Sequence, residues 1–278
     1  MTEGKVNYRG LNQQFMSKSF FEITTNIGCP INCFKFCPQE VLIKRYKGVR
    51  MMSLEVFKAC LKDVPAGVGL IFSGFSEPFV NPDCLNMVKY AYAKGHKIVM
   101  NTTAVGMTKE TVEELIKMKY YSFSIHLPYK NVTHIDITPA YAVNVLTLAN
   151  EIPNVSFSLM NELFISNNRE NVTRGILPRP KPVRRCEKLT TFQGVILPNA
   201  DVYPCCMDFG LQHRLGNMIT DGYAKVKDNW RRLKPFELCR YCTSNEAVIS
   251  AKTLVRIYKA LEAKFPSLDP YGHLYKSL

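Results

Sequence analysis

Ser19-Phe20-Phe21-Glu22-Ile23-Thr24-Thr25-Asn26, followed by Ile27-Gly28-Cys29-Pro30-Ile31-Asn32-Cys33-Phe34-Lys35-Phe36-Cys37-Pro38-Gln39, decides how this chain is read. The first eight residues are apolar and β-branched enough for a buried strand. The rest set three thiols on one short loop directly behind it. Iron–sulfur clusters take four cysteine thiolates, so a trio with no fourth cysteine nearby leaves one iron position for a ligand that is not protein. Structural zinc is the alternative, but it favours four ligands in Cys-x2-4-Cys pairs, and no histidine lies near this loop.

Outward from the loop, residues 19–160 alternate short apolar runs with amphipathic ones. The pattern predicts strands over 19–26, 68–73, 96–101, 120–126 and 154–160, and helices over 53–63, 82–94, 108–118 and 139–151. Such βαβ alternation gives a parallel sheet with right-handed crossovers and places function at the C-terminal strand ends. A Rossmann-like sheet has the same alternation, but no Gly-x-Gly-x-x-Gly follows the first strand. Around 167–185 the sequence turns rich in Asn, Arg and Pro, which marks a crossing into a second unit. Gln193 to Pro198 and Asp201 to Tyr203 read as two strands around Asn199-Ala200, and Ser250 to Lys264 as a closing helix.

The chain has 278 residues, enough for one large domain with a smaller appendage, and its ten cysteines are clustered. With no signal-peptide h-region after Met1, a reducing cytoplasm is expected and a disulfide scaffold is not. No apolar run approaches the roughly 18 residues of a transmembrane helix. The formal charge is +13, densest in Arg179 to Arg185 and Lys225 to Lys234. Such runs are usually solvated faces, so the reading is an anionic small-molecule substrate or an acidic electron donor, with no nucleic acid and no membrane.

The strand and cysteine loop together resemble the radical S-adenosylmethionine (radical SAM) family, whose open iron binds that cofactor behind the first barrel strand. The family spacing is Cys-x3-Cys-x2-Cys with an aromatic before the third cysteine. Here Phe34, Lys35 and Phe36 separate the last two, and Phe36 keeps the aromatic place. The resemblance implies a partial (β/α)6 barrel over 19–172, preceded by an N-terminal segment, 1–18. It also implies a cluster on Cys29, Cys33 and Cys37.

Ser73-Gly74-Phe75-Ser76-Glu77-Pro78 stands where the family has Gly-Gly-Glu-Pro, so Gly74, Ser76 and Glu77 are cofactor-binding candidates, with Glu77 facing the ammonium of S-adenosylmethionine. Asn101-Thr102-Thr103-Ala104 resembles the Thr-Asn-Gly segment, which adds Asn101 and Thr102. Ser122, Ser124 and His126 share one strand face. Ser124 matches the serine that contacts ribose, and His126 falls where members carry an acidic residue near substrate. A strand histidine is also, and more commonly, a hydrogen-bonded core residue.

Cys186, the stretch from Pro198 to Phe209 with Cys205 and Cys206, Leu215-Gly216-Asn217-Met218, and Cys239-Arg240-Tyr241-Cys242 resemble the SPASM and shorter twitch extensions. A twitch-like β-hairpin and helix domain over 173–250 follows, with a C-terminal helix and tail over 251–278. The implied ligands of a second four-iron cluster are Cys186, Cys205, Cys239 and Cys242, with Cys206 a neighbouring thiol; zinc is the alternative for this set. Ala200 stands at a family glycine, which Asn199 is expected to offset by taking the left-handed conformation. Cys60 and Cys84 read as core residues.

Chains of this kind resemble the 2-deoxy-scyllo-inosamine dehydrogenase group. The resemblance implies an oxidoreductase with two four-iron clusters and S-adenosylmethionine, served by a flavodoxin- or ferredoxin-type donor, that oxidises an alcohol of a sugar or aminocyclitol. The other classes are a ribosomal-peptide maturase, a redox-neutral epimerase in which Cys206 quenches the substrate radical, and a non-enzymatic electron carrier or zinc-stabilised binding module.

Overall fold

The computed structural model describes residues 19–31, 33, 37–128, 133–160 and 193–241, all within one compact unit. The expected segments 1–18 and 251–278, the crossing before 193 and the helix from Ser250 lie outside the described residues, as do Phe36, Cys186 and Cys242.

Eight strands form one sheet: β1 Phe20–Ile23, β2 Gly69–Phe72, β3 Ile98–Thr102, β4 Ser122–Leu127, β5 Ser156–Leu159, β6 Gln193–Ile196, β7 Asp201–Tyr203 and β8 Gly216–Asn217. Their order is β5-β4-β3-β2-β1-β6-β7-β8. β1 to β5 run parallel in sequence order. The sixth parallel strand, β6, pairs with the other edge of β1, Phe20 opposite Gln193 and Ile23 opposite Ile196. β7 and β8 then follow antiparallel. The hairpin expected to belong to a separate small domain therefore shares its backbone ladder with the main sheet. β1 becomes an interior strand bonded on both sides, the environment that Phe20, Phe21 and Ile23 suit.

Helices α2 Leu54–Cys60, α3 Cys84–Ala93, α4 Lys109–Leu115 and α5 Pro139–Glu151 supply the crossovers. Their starts are written locally. Ser53, Thr108 and Thr138 each accept a backbone N–H of the first turn, from Val56, Thr111 and Tyr141, and Pro139 occupies a position whose N–H needs no partner. Two helices were not foreseen, α1 Gln39–Arg45 behind the cysteine loop and α6 Gly222–Arg231.

Strand alternation divides the sheet's faces. Phe21, Ile23, Leu70, Phe72, Ile98, Met100, Phe123 and Ile125 join Phe57, Met87, Val88, Leu115 and Leu148 of the helices in the main core. Each such large side chain contributes about 1.5–3 kcal/mol through removal from water. The opposite face carries a small cluster of Phe20, Ile71 and Val99 with Tyr121. Beyond it, toward the C-terminal strand ends, come polar positions: Asn101 opposite Ser124, Ser124 opposite Ser156, and His126 opposite Ser158. A parallel sheet covered by helices on both faces reads as continuous apolar strands. This polar file marks the face that is not core.

Candidate functional site

Residues just past the C-terminal ends of β2, β3 and β5 meet the cysteine loop behind β1: Phe75 through Gln39, and Val105 and Met160 by packing. Cys29, Cys33 and Cys37 pack against one small cluster of Ile31 and Met160, flanked by Val105 and Ile135. The extra residue between Cys33 and Cys37 does not separate them, because the Cys37 N–H donates to the Cys33 carbonyl at 2.9 Å. Burial pushes the Cys29 thiol up to about 11, and backbone hydrogen bonds from Glu77 and Ile31 pull the other way. A cluster bound there would displace that proton, since only the thiolate ligates.

Among the described residues no three His, Cys, Asp or Glu side chains stand at the spacing that holds a single metal ion. Ligands of a cubane cluster sit on separate irons and stand further apart than ligands of one ion. Three soft thiols packed on one small apolar cluster suit iron–sulfur ligation.

The turn after β2 is fixed against β1. Gly74 has φ +85, and a Cβ there would overlap the Thr24 Oγ1, the same atom that accepts the Phe75 N–H at 3.1 Å. No other residue fits both demands. Ser76 Oγ lies 3.1 Å from Asn26 Oδ1. Asn26 is 1% exposed and its Nδ2 has no protein partner.

Glu77 does not stand open toward a ligand. Its carboxylate accepts the Thr102 hydroxyl at 2.5 Å, the Thr103 N–H at 2.6 Å, the Thr103 hydroxyl at 2.8 Å and the Phe79 N–H at 3.3 Å. Four donors fill the four lone-pair sites of a carboxylate. Burial raises the Glu77 pKa, and these hydrogen bonds oppose the rise. Glu77 thus bolts the β2 turn to the end of β3, with Thr102 in the brace and Asn101 one residue before it on the polar face.

Thr103 extends the brace outward, because its carbonyl accepts the Tyr141 hydroxyl of α5 at 2.9 Å. Ala104, in place of the family glycine, takes the left-handed conformation at φ 62. Ser124 and His126 lie on the polar file of β4, as period-two geometry requires.

One residue absent from the sequence reading completes this corner. Gln39 opens α1, and its Nε2 donates to the Phe75 carbonyl and to Cys37 Sγ at 3.5 Å. A glutamine two residues past a cysteine has no sequence signature for this role. Only the fold brings the Phe75 carbonyl to it.

On the far side of β1, an apolar core of Ile27, Leu42, Tyr46, Phe75, Val195, Leu197, Tyr203, Cys206, Met207 and Phe209 has Cys37, Cys205 and Leu238 at its margin. Phe75 and Phe209 meet edge to face at 4.8 Å. Cys206 is buried in this core. Cys205 is partly exposed and accepts the Met207 N–H at 3.4 Å. Leu238 brings the segment of Cys239 to the same margin. The turn correction is definite: Ala200 itself is left-handed, at φ 69, while the Asn199 side chain is committed to Asp201, accepting its N–H and donating to its carboxylate.

Residues 186–243 match the SPASM family, an iron–sulfur cluster-binding domain. No curated protein matches the sequence. Among solved structures, BtrN in complex with AdoMet and 2-DOIA superposes with a TM-score of 0.61 at 16% identity, over 83% of this chain and 94% of that one. BtrN in an open conformation gives 0.51 at 14%, over 83% and 98%. Native anSMEcpe with bound AdoMet gives 0.48 at 12%, over 90% and 97%. Among the described residues no helix is long and apolar enough to cross a membrane.

Proposed function

We propose that this chain, which in fold resembles radical SAM enzymes with a SPASM-type extension, oxidises an alcohol of a small polyhydroxylated substrate such as an aminocyclitol. The observation that carries the reading is the polar file of Asn101, Ser124, His126, Ser156 and Ser158, set at the same strand ends as the cysteine loop. A row of short hydroxyl and amide side chains suits a ligand that offers several hydroxyls and little apolar surface. BtrN, whose structure was solved with 2-DOIA bound, supports the same substrate class.

Cys29, Cys33 and Cys37 would hold one four-iron cluster, and Cys205 and Cys239, with Cys186 and Cys242, would hold a second. When bound, the first cluster and S-adenosylmethionine supply a 5′-deoxyadenosyl radical for hydrogen abstraction, and the second an acceptor for the remaining electron. The residues of this chain do the positioning. The Glu77 brace keeps the turn of Gly74 and Ser76 at one distance from the end of β3. Ser124 and the neighbouring serines orient the substrate hydroxyls. The His126 imidazole takes the hydroxyl proton as the carbonyl forms, at a ring nitrogen on the polar face. Burial of Cys206 in apolar core supports oxidation over hydrogen return from a thiol.

The test is anaerobic reconstitution followed by dithionite reduction with S-adenosylmethionine and a panel of aminocyclitols. The expected result is 5′-deoxyadenosine in equal amount to a product two hydrogens lighter. Cofactor cleavage with an isomeric product of unchanged mass would favour epimerisation, and zinc without iron would end the reading.

A further inference from the structure

We infer that Gln39 is a positioning residue that sets the reduction potential of the cluster on Cys29, Cys33 and Cys37, through a hydrogen bond from its side-chain amide to the Cys37 sulfur. The inference rests on the proposed cluster assignment and goes beyond it.

Gln39 is 9% exposed. The orientation of its amide follows from chemistry: the Phe75 carbonyl can only accept, so the amide atom facing it is Nε2. An NH2 group has two hydrogens. One goes to that carbonyl, and the other is directed at Cys37 Sγ, 3.5 Å away. Oε1 has no protein partner, so the two bonds from Nε2 alone hold the group.

Phe75 is itself fixed, because its N–H bonds Thr24 Oγ1 at 3.1 Å and its ring packs on Phe209. The donor is thereby held at the sulfur by β1, the β2 turn and the second cysteine segment together. Backbone groups hydrogen-bond to Cys29 and to Cys205. At Cys37 a replaceable side chain performs the task.

The electrostatic consequence has a definite sign. One-electron reduction adds negative charge that the ligand sulfurs share, and an N–H aimed at a sulfur stabilises the reduced form more than the oxidised one. Removing the donor makes the cluster harder to reduce. Because the electron entering this cluster comes from an external reductant, the effect is largest with a weak donor.

The experiment measures the potential of the cluster whose electron paramagnetic resonance signal moves when S-adenosylmethionine is added. Gln39→Met keeps length and removes the donor. At fixed ambient potential its reduced-to-oxidised ratio is expected to fall about tenfold, equivalent to about 59 mV for one electron. Iron content should stay at the parental value. Parent protein labelled with 15N-glutamine should also show a nitrogen coupling at this cluster, absent from Gln39→Met. This measurement needs no variant to fold. A potential shifted less than twofold in ratio at equal iron, or a parent without the coupling, overturns the role of Gln39 and leaves the cluster assignment intact. A parent that assembles no such cluster overturns both.

Discussion

In the cysteine loop behind β1 the thiols are positioned with help from remote parts of the chain: the backbone of Glu77 beside Cys29, the Phe75 carbonyl that holds the Gln39 amide at Cys37, and Val105, Ile135 and Met160 packed around them. Near Cys205 a set of polar bonds among the described residues stays within residues 199–221. Asp201 takes Asn199, Arg214 and Asn217, Asp221 takes the Asn217 N–H, and Asp208 takes the N–H groups of Gln212 and His213. The difference reflects the tasks. A site that admits cofactor and substrate must open onto several strand ends, so long-range contacts define it. The proposed four-thiolate site needs no such opening, and much of the surroundings of Cys205 is fixed by local bonds.

Separability of the two regions is the strongest way to break this comparison. Cys33→Ala should lower iron from about eight to about four per chain and abolish 5′-deoxyadenosine formation, while Cys239→Ala also loses about four irons but keeps cofactor cleavage. Iron analysis and chromatography of the reaction decide it. If Cys239→Ala loses cleavage too, in protein with normal circular dichroism, the regions are not independent.

Next in size is Glu77→Ala, which leaves the hydroxyls of Thr102 and Thr103 and two backbone N–H groups without their acceptor. A loss of about 3 kcal/mol in urea denaturation is expected, with weaker cofactor binding as a secondary effect of the loosened turn. Full stability with lost binding would instead make Glu77 a direct ligand contact.

In the local region, Asp201→Asn should cost about 1 kcal/mol by the same measurement. Burial pulls the Asp201 pKa up, but the hydrogen bonds from Arg214, Asn217 and Asn199 together hold it below its usual 3.8. The folded value is therefore the lower one. Its contribution is complete above pH 3.8 and is lost as acid carries the pH down through the folded value. The pH profile of Asp201→Asn should lack that acid-side decline.

The smallest effect sharpens the view of the hairpin turn. Ala200→Gly relieves about 1–2 kcal/mol of left-handed strain, but glycine's extra freedom when unfolded costs about 0.5–1 kcal/mol and the buried methyl is worth about 0.8 kcal/mol. Stability within about 0.5 kcal/mol of the parent is expected in thermal unfolding. Ala104, left-handed and buried at the other family glycine position, should behave alike.

What the sequence displays and what it conceals divides along these lines. Apolar alternation marks β1 to β5, and Ser53, Thr108 and Thr138 mark helix starts, because both signals are local. α1 has no such signal: it begins behind Pro38 with no side-chain cap and buries only Gln39 and Leu42. α6 buries only Val226, so its lysines read as a charge run. The motif positions of Glu77 and Gly74 are visible. The saturation of Glu77 is not, since its partners arrive from β3, 25 and 26 residues away. Asn199 was the natural candidate for the left-handed turn position on propensity. Its side chain was already claimed by Asp201, and the strain fell on Ala200.

The pairing of β1 with β6 has a consequence for the order of events during synthesis. Phe20 finds Gln193 across 173 positions of chain. At roughly 5–20 residues per second, a ribosome takes roughly 10–35 s to cover that interval. Throughout it, β1 can be bonded only on its β2 side, and the apolar core that borders Cys37 lacks Val195, Tyr203 and Phe209. The cysteine loop is thus made among the first residues of the sheet and enclosed among the last. A cluster delivered during translation would meet a half-walled site, and one delivered after release of the chain would meet a finished one.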